Sequence, residues 1–163
     1  MSPKTGLERE VRDTIKKNRW LTLSTISPRG APQSSVVVYA SDGHVIIVLT
    51  GRDTVKARNI ASNSRVSVTI PFYKNLLHRM IGVAPPAAIS FRATAETLDI
   101  GDGEATDMYR KALNLDLPEG FEEYGVWIRL TPGNHATCYG VGIGLLGLRD
   151  PSKALKVVKL TEP

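Results

Sequence analysis

The chain has 163 residues, 42% of them hydrophobic and 23% charged. That balance is ordinary for a globular domain and excludes disorder, collagen and coiled coil as whole-chain readings. The formal net charge of +5 is uneven: residues 1–81 hold 13 Lys/Arg against 5 Asp/Glu, and residues 82–163 hold 8 against 11. With no stretch of five like charges, no aromatic-interleaved basic tract and no zinc-finger spacing, this basic half favours a small anionic ligand and makes nucleic acid an unlikely partner. The apolar run Val45–Leu49 is far shorter than the ~20 residues of a bilayer span, so no membrane contact is expected. The N-terminus has no apolar signal core, and Cys138 has no second cysteine to pair with, so a reducing, cytoplasmic location is expected.

Leu7, Val11 and Ile15 recur every fourth residue and predict a helix over Leu7–Lys17 with one narrow apolar stripe. The period then changes to that of strands. Trp20–Ser27, Pro32–Ala40, Val45–Thr50 and Arg65–Ile70 are short and rich in Val, Ile and Thr. The first three are separated by Ser27-Pro28-Arg29-Gly30 and Ser41-Asp42-Gly43, which is turn chemistry, so they predict an antiparallel meander. Asp53–Ala61 predicts a two-turn helix, and Ala88–Leu98 a long strand. Between the fourth strand and that one lies a long connector, 71–87, with one helical turn around Leu76–Met80. Glu104–Leu115 predicts a helix with Met108, Ala112 and Leu115 on one side and Pro118 beyond its end. Val126–Thr131, Ala136–Tyr139 and Ala154–Leu160 complete the strands, and Gly140, Gly142, Gly144 and Gly147 fit a bent strand or close backbone contact. The expectation is one domain over 1–163: an N-terminal helix in 1–19, the connector 71–87 and a C-terminal extension 140–163.

The chemistry concentrates in Thr50-Gly51-Arg52-Asp53-Thr54-Val55-Lys56-Ala57-Arg58-Asn59. A strand ends, Gly51 permits a tight turn, and a helix begins near Asp53 or Thr54 with its first amides free. With Asp53 as N-cap, Lys56 is a cation at the positive end of the helix dipole, unfavourable by a few tenths of a kcal/mol unless an anion reverses the sign. Helix-start amides, the hydroxyls of Thr50 and Thr54 and the charges of Arg52 and Lys56 make a phosphate cradle. The same residues admit a plainer reading in which Asp53 caps the helix and Lys56 and Arg58 are solvated.

The order of segments is that of a known group. Leu21-Thr22-Leu23-Ser24-Thr25, Pro28-Arg29-Gly30-Ala31-Pro32, Val36-Val37-Val38-Tyr39, Asp42-Gly43, Leu49 through Ile60, Asn63 through Val68, Arg92 through Glu96 and Ile128-Arg129-Leu130-Thr131-Pro132 together resemble the pyridoxamine 5'-phosphate oxidase-like split-barrel flavoproteins. That superfamily includes reductases using the deazaflavin F420. The resemblance spans roughly residues 7–139. It implies a mainly β, antiparallel split barrel of about six to eight strands with two or three short peripheral helices, assembled as a homodimer with FMN at the interface. Thr50, Thr54 and Lys56 would then meet the phosphate, with Arg52 and Leu49 as further cofactor-binding positions. Ser35, Val36, Val37 and Val38 would run along the ring system. The implied activity is hydride transfer to or from a small organic substrate. F420-dependent reduction, or non-catalytic binding of flavin or haem, is the alternative.

Two departures count against vitamin B6 oxidation. Ser34-Ser35 opens the strand where those oxidases have Arg, and their C-terminal Arg-Leu-His signature is missing. Tyr139 falls about where they have an aromatic near the flavin, or else it packs in the barrel like any buried Tyr. His44, His78 and His135 have no metal spacing among themselves or with Cys138, so no metal is expected. His78 is either a surface side chain or a haem ligand of the kind some split-barrel relatives use. Cys138 is expected in the core, and Trp20 and Trp127 in the core or a dimer contact. No residue stands out as a catalytic acid or base.

Overall fold

The computed structural model describes residues 3–81 and 85–161; residues 82–84 of the predicted connector lie outside them. In chain order the elements are α1 (Pro3–Lys17), β1 (Trp20–Ile26), β2 (Pro32–Val38), β3 (Ala40–Ser41), β4 (Ile46–Gly51), α2 (Val55–Ser62), β5 (Arg65–Phe72) and α3 (Leu76–Ile81). They continue with β6 (Ala87–Asp99), α4 (Gly103–Leu113), α5 (Phe121–Tyr124), β7 (Gly125–Tyr139), a 3-10 turn Leu145–Arg149, α6 (Pro151–Ala154) and β8 (Leu155–Lys159). All strand pairs are antiparallel, in the order β2-β1-β5-β6-β7-β4-β3, with β8 also on β7. The fifteen-residue β7 pairs β4 with its first half and β8 with its second. The sheet curls until β2 approaches β4 without forming a ladder to it, which leaves a split barrel with a seam.

Period-two alternation fills the inside. Leu21, Leu23 and Thr25 of β1, Val66, Val68 and Ile70 of β5, and Ile89, Phe91 and Ala93 of β6 point inward and are buried. Val11 and Ile15 of α1 are fully buried in the same cluster, so the narrow stripe plugs one opening of the barrel. Asn59 and Ile60 of α2 are buried as well. A second cluster lies outside the curled sheet, where Ala105 and Tyr109 of α4 cover Ile47 and Trp127. The indole N–H of Trp127 donates to the carbonyl of Ile100 at 3.1 Å.

The opposite, outward face of β2-β1-β5-β6-β7-β8 is open. Register places Val36, Thr22, Thr69, Ser90, Thr137 and Val157 in one row across it. Val36 and Val157 are each 68% exposed and Trp20 is 59% exposed, so Trp20 belongs to this surface and not to the core.

Several sequence-based boundaries shift for physical reasons. The Pro32–Ala40 segment breaks at buried Tyr39, whose hydroxyl donates to the carbonyl of Ile15 at 2.7 Å. The two predicted strands Val126–Thr131 and Ala136–Tyr139 are one bulged strand: Phe91 pairs Ala136 and Ala93 pairs Pro132, so three residues of β7 face Arg92 alone. Leu115 is 56% exposed beyond α4, which ends at Asn114 in the left-handed conformation, φ 53°. The glycine-rich stretch is a turn followed by the 3-10 segment. At Gly140 φ is +83°, and a Cβ there would lie 2.4 Å from Leu148 Cδ2. Six α-helices among the described residues exceed the two or three expected, because three of them are single turns or little more.

Candidate functional site

The corner between β4 and α2 begins with strand alternation. Leu49 and Thr50 point to opposite faces, and Leu49 packs into the cluster beneath α4 while Thr50 is buried on the other side. After Gly51 the chain turns, Thr54 N–H donating to the Gly51 carbonyl at 3.1 Å. Thr54, with φ −70° and ψ 151°, is the N-cap of α2, and its hydroxyl accepts from Ala57 N–H at 3.4 Å. Asp53 is exposed and does not cap the helix. Its predicted role passes to Thr54, which moves Lys56 from the third to the second helical position.

The hydrogens of this corner can be assigned. Thr54 Oγ1 donates to the Gly51 carbonyl at 2.9 Å, so in its 3.3 Å contact with Thr50 Oγ1 it accepts. Thr50 Oγ1 in turn accepts from Lys56 Nζ at 3.2 Å. Two hydroxyls and an ammonium thus converge. Among the described residues no acceptor meets the Val55 and Lys56 amides at the start of α2 and no carboxylate meets Lys56. These donors suit an anion, and the helix dipole adds to the attraction.

Arg52 goes elsewhere. Its N–H donates to the carbonyl of Tyr124 at 2.9 Å and its guanidinium to that of Glu123 at 2.8 Å, so it fastens the turn to α5. The four positions on β2 divide between faces. Ser35 and Val37 are half-buried, Val37 against the main core, whereas Val36 and Val38 are exposed on the outer face. Because β2 approaches β4, this strand and the corner lie on the two sides of one seam. A planar ring in that seam would meet β2 backbone and every second side chain, not all four.

Other singled-out residues have structural employment. His78 is buried, not a surface histidine: Nδ1 accepts from Lys74 N–H at 3.2 Å, which puts the proton on Nε2, 2.9 Å from the Pro85 carbonyl. As a haem ligand it would have to surrender one of these bonds. Tyr139 is half-buried and its hydroxyl donates to the Leu148 carbonyl. Cys138 is buried. Burial, with Glu10 adding and Lys156 opposing, pushes its thiol up to about 11. Lys74 is pushed below the usual ammonium range by burial, against the pull of Glu10. Sequence reasoning missed the buried pair in which Asn59 Nδ2 donates to Thr25 Oγ1 at 3.0 Å, tying α2 to β1. The available signal was an asparagine, a poor helix former, in the middle of a short helix. No helix of the described residues is long and apolar enough to cross a membrane.

The family described as pyridoxamine 5'-phosphate oxidase matches residues 7–119. No curated protein gives a match. Among solved structures, an F420 reductase is 20% identical with a TM-score of 0.58, over 75% of this chain and 92% of that one. A haem storage protein from Vibrio cholerae is 19% identical with a TM-score of 0.62, over 83% and 96%. A haem-binding protein from Mycobacterium smegmatis is 16% identical with a TM-score of 0.66, over 98% and 59%. At these identities the likenesses show the fold alone.

Proposed function

The chain belongs to the pyridoxamine 5'-phosphate oxidase family, and on that footing we propose that it binds FMN in the seam between β2 and β4 as a homodimer and serves as an oxidoreductase on a small organic substrate. The observation that carries this reading is the convergence of Lys56 Nζ, Thr50 Oγ1 and Thr54 Oγ1 beside the free amides of α2. These groups fit a phosphate monoester: an ammonium, two rotatable hydroxyls and two backbone donors supply charge-assisted hydrogen bonds.

When bound, the flavin supplies the hydride chemistry. The chain's own contribution is binding, orientation and exclusion of water. Lys56, Thr50 and Thr54 fix the phosphate end. The backbone of β2, with Ser35 and Val37 on one side and Val36 and Val38 on the other, offers a straight edge for the ring. A second copy docked on the open outer face would cover Val36 and Val38 and keep water from the seam. No side chain is assigned proton transfer.

An F420 reductase among the structural likenesses supports deazaflavin as the second reading, since F420 also joins a phosphate to a planar tricycle. The haem proteins support haem storage or carriage as the third. The single buried cysteine fits a reducing, cytoplasmic compartment.

The purified protein's spectrum separates these: flavin gives yellow colour, F420 blue fluorescence and haem a Soret band. The decisive experiment is an FMN titration of wild type and Lys56→Ala. The expected loss is about 1.5–3 kcal/mol, the range for a hydrogen bond to a charged group. Equal affinities would remove Lys56 from the site. Cofactor binding without turnover by NAD(P)H or reduced F420 would make the protein a carrier.

A further inference from the structure

The end of the barrel opposite the phosphate corner carries apolar side chains that the chain leaves in solvent. β7 runs between the two ends: Gly51 pairs Gly125 at its start, and Ala88 pairs Tyr139 at its finish. At that finish Phe72 of β5 pairs Ala87 of β6, so the connector between them, with α3, stands beside the turn that follows β7. The two are fastened together. The Lys74 ammonium donates to the Ile143 carbonyl, and a Cβ on Gly140 would touch both Leu148 and Ala87.

One side chain anchors α3. His78 is buried, its ring bonded to the Lys74 amide and the Pro85 carbonyl. At about 100° per residue, Leu76, Leu77 and Met80 then share an arc of about 100° on the other side of the helix. These three and Leu146 of the 3-10 turn are 54 to 83% exposed. Side chains that far out of a surface project from it and line no groove. Tyr73, half-exposed, stands edge-on to the His78 ring at 5.3 Å, next to α3.

The charge around this group has one sign. Residues 71–87 contain Lys74 and Arg79 and no Asp or Glu, and residues 140–149 contain Arg149 and no acid. Among the described residues Arg79 and Arg149 meet no carboxylate. The acids of neighbouring elements are already engaged: Glu10 of α1 accepts from the Gly142 N–H at 3.0 Å, and Asp150 holds Ser152 and Lys153. An apolar tip with a tyrosine at its side and basic, acid-free flanks is complementary to a bilayer with anionic headgroups. Aliphatic chains enter the acyl boundary, the phenol sits at headgroup level and the cations stay with the phosphates.

We propose that α3 and the Leu145–Arg149 turn form a docking surface for an anionic lipid membrane, with Leu76, Leu77, Met80 and Leu146 inserted and Arg79 and Arg149 on the headgroups. Short apolar runs argue against a span; a surface contact needs none, so the expectation of no membrane contact applies to spans alone. A second copy is the rival occupant of any apolar face, but the copy proposed for the dimer covers the sheet's outer face, and none of these four side chains lies on a strand. The surface stands apart from the flavin reading, because the corner lies at the other end of β7.

Co-sedimentation of the full chain with vesicles tests it, using phosphatidylcholine alone or mixed with about one-third phosphatidylglycerol. Binding to the mixed vesicles is expected to be saturable, about fivefold or more stronger than to phosphatidylcholine alone, and weakened about tenfold by Leu76→Ser together with Met80→Ser. Both side chains are exposed, so the fold does not depend on them. Leu115→Ser, on the surface beyond α4, is the apolar control and leaves binding unchanged. Leu146→Cys carrying a polarity-sensitive fluorophore reports insertion as a blue shift on mixed vesicles, since the native Cys138 is buried and escapes labelling. No binding to mixed vesicles, binding that the serine pair leaves intact, an equal loss on Leu115→Ser, or an unshifted fluorophore overturns the proposal. So does a fall in mass on light scattering when the serine pair is introduced without lipid, which would make a second copy the occupant. Failure of the FMN titration leaves these outcomes untouched.

Discussion

Thr50 shows how much of the corner depends on single hydroxyls. Its Oγ1 accepts from Lys56 and donates to Thr54, and the side chain is buried. Thr50→Val keeps the shape and removes both bonds, so FMN should bind more weakly by about 1 kcal/mol. Arg52→Ala should leave FMN affinity within about twofold, since its guanidinium is spent on Glu123; the same titration reads both, and a tenfold loss on Arg52→Ala would return that side chain to the phosphate. Cys138 carries the pH prediction. Its ordinary value of 9.0 is raised to about 11 in the fold, so the neutral thiol is favoured there. Its contribution to stability is therefore whole below about 9 and is lost as pH rises from about 9 through 11. Tyr39 is raised as well and acts in the same direction at higher pH. Urea midpoints should fall across that window, and Cys138→Ala, though less stable throughout, should fall less steeply. A parallel descent would mean that the thiol does not titrate with unfolding.

At the scale of elements, the β4–α2 corner was legible because its signals are local: Gly51 for the turn, and the Thr50 and Thr54 hydroxyls with Lys56 within one helical turn; the cap alone moved, from Asp53 to Thr54. Arg52 was not legible, because the carbonyl that claims it lies 71 positions away on α5. The main strands were legible from alternation, whereas the join of two predicted strands into β7 was not. A bulge suspends alternation over Gly133-Asn134-His135 and reads as a loop. His78 looked like a surface residue because its partners are the amide of Lys74 and the carbonyl of Pro85, which side-chain patterns do not record. Gly140 was one of four glycines read as a bent strand or a close backbone contact, and the structure shows the close contact. A Cβ there meets Leu148 and Ala87 at a positive φ, so Gly140→Ala should cost about 2–4 kcal/mol, combining left-handed strain with overpacking. Gly144→Ala, with open space around it, is the control in the same denaturation series.

The whole molecule leaves a sheet face that a single copy does not cover. Trp20, Val36, Val38, Leu155 and Val157 are exposed on one side of it, and the hydroxyls of Thr22, Thr69, Ser90 and Thr137 lie between them. Flat, small-residue centres with apolar borders let two copies approach closely, and a two-fold axis presents the same patch from both sides. A standard interface needs about 800 Å² from each partner, which six adjacent strands can supply. Val36→Glu puts a charge at the border nearest the seam. With the proposed homodimer, light scattering should give the 17.8 kDa chain mass for Val36→Glu and twice that value for the wild type. Because Val36 also lies on the strand proposed to run along the ring, dissociation alone does not locate the cofactor; Val157→Glu, on β8 at the far border, separates the two effects. A Val157→Glu monomer that loses FMN puts part of the site on the partner copy. A monomer that keeps it confines the site to one chain's β2–β4 seam, and a Val157→Glu dimer means that copies meet elsewhere.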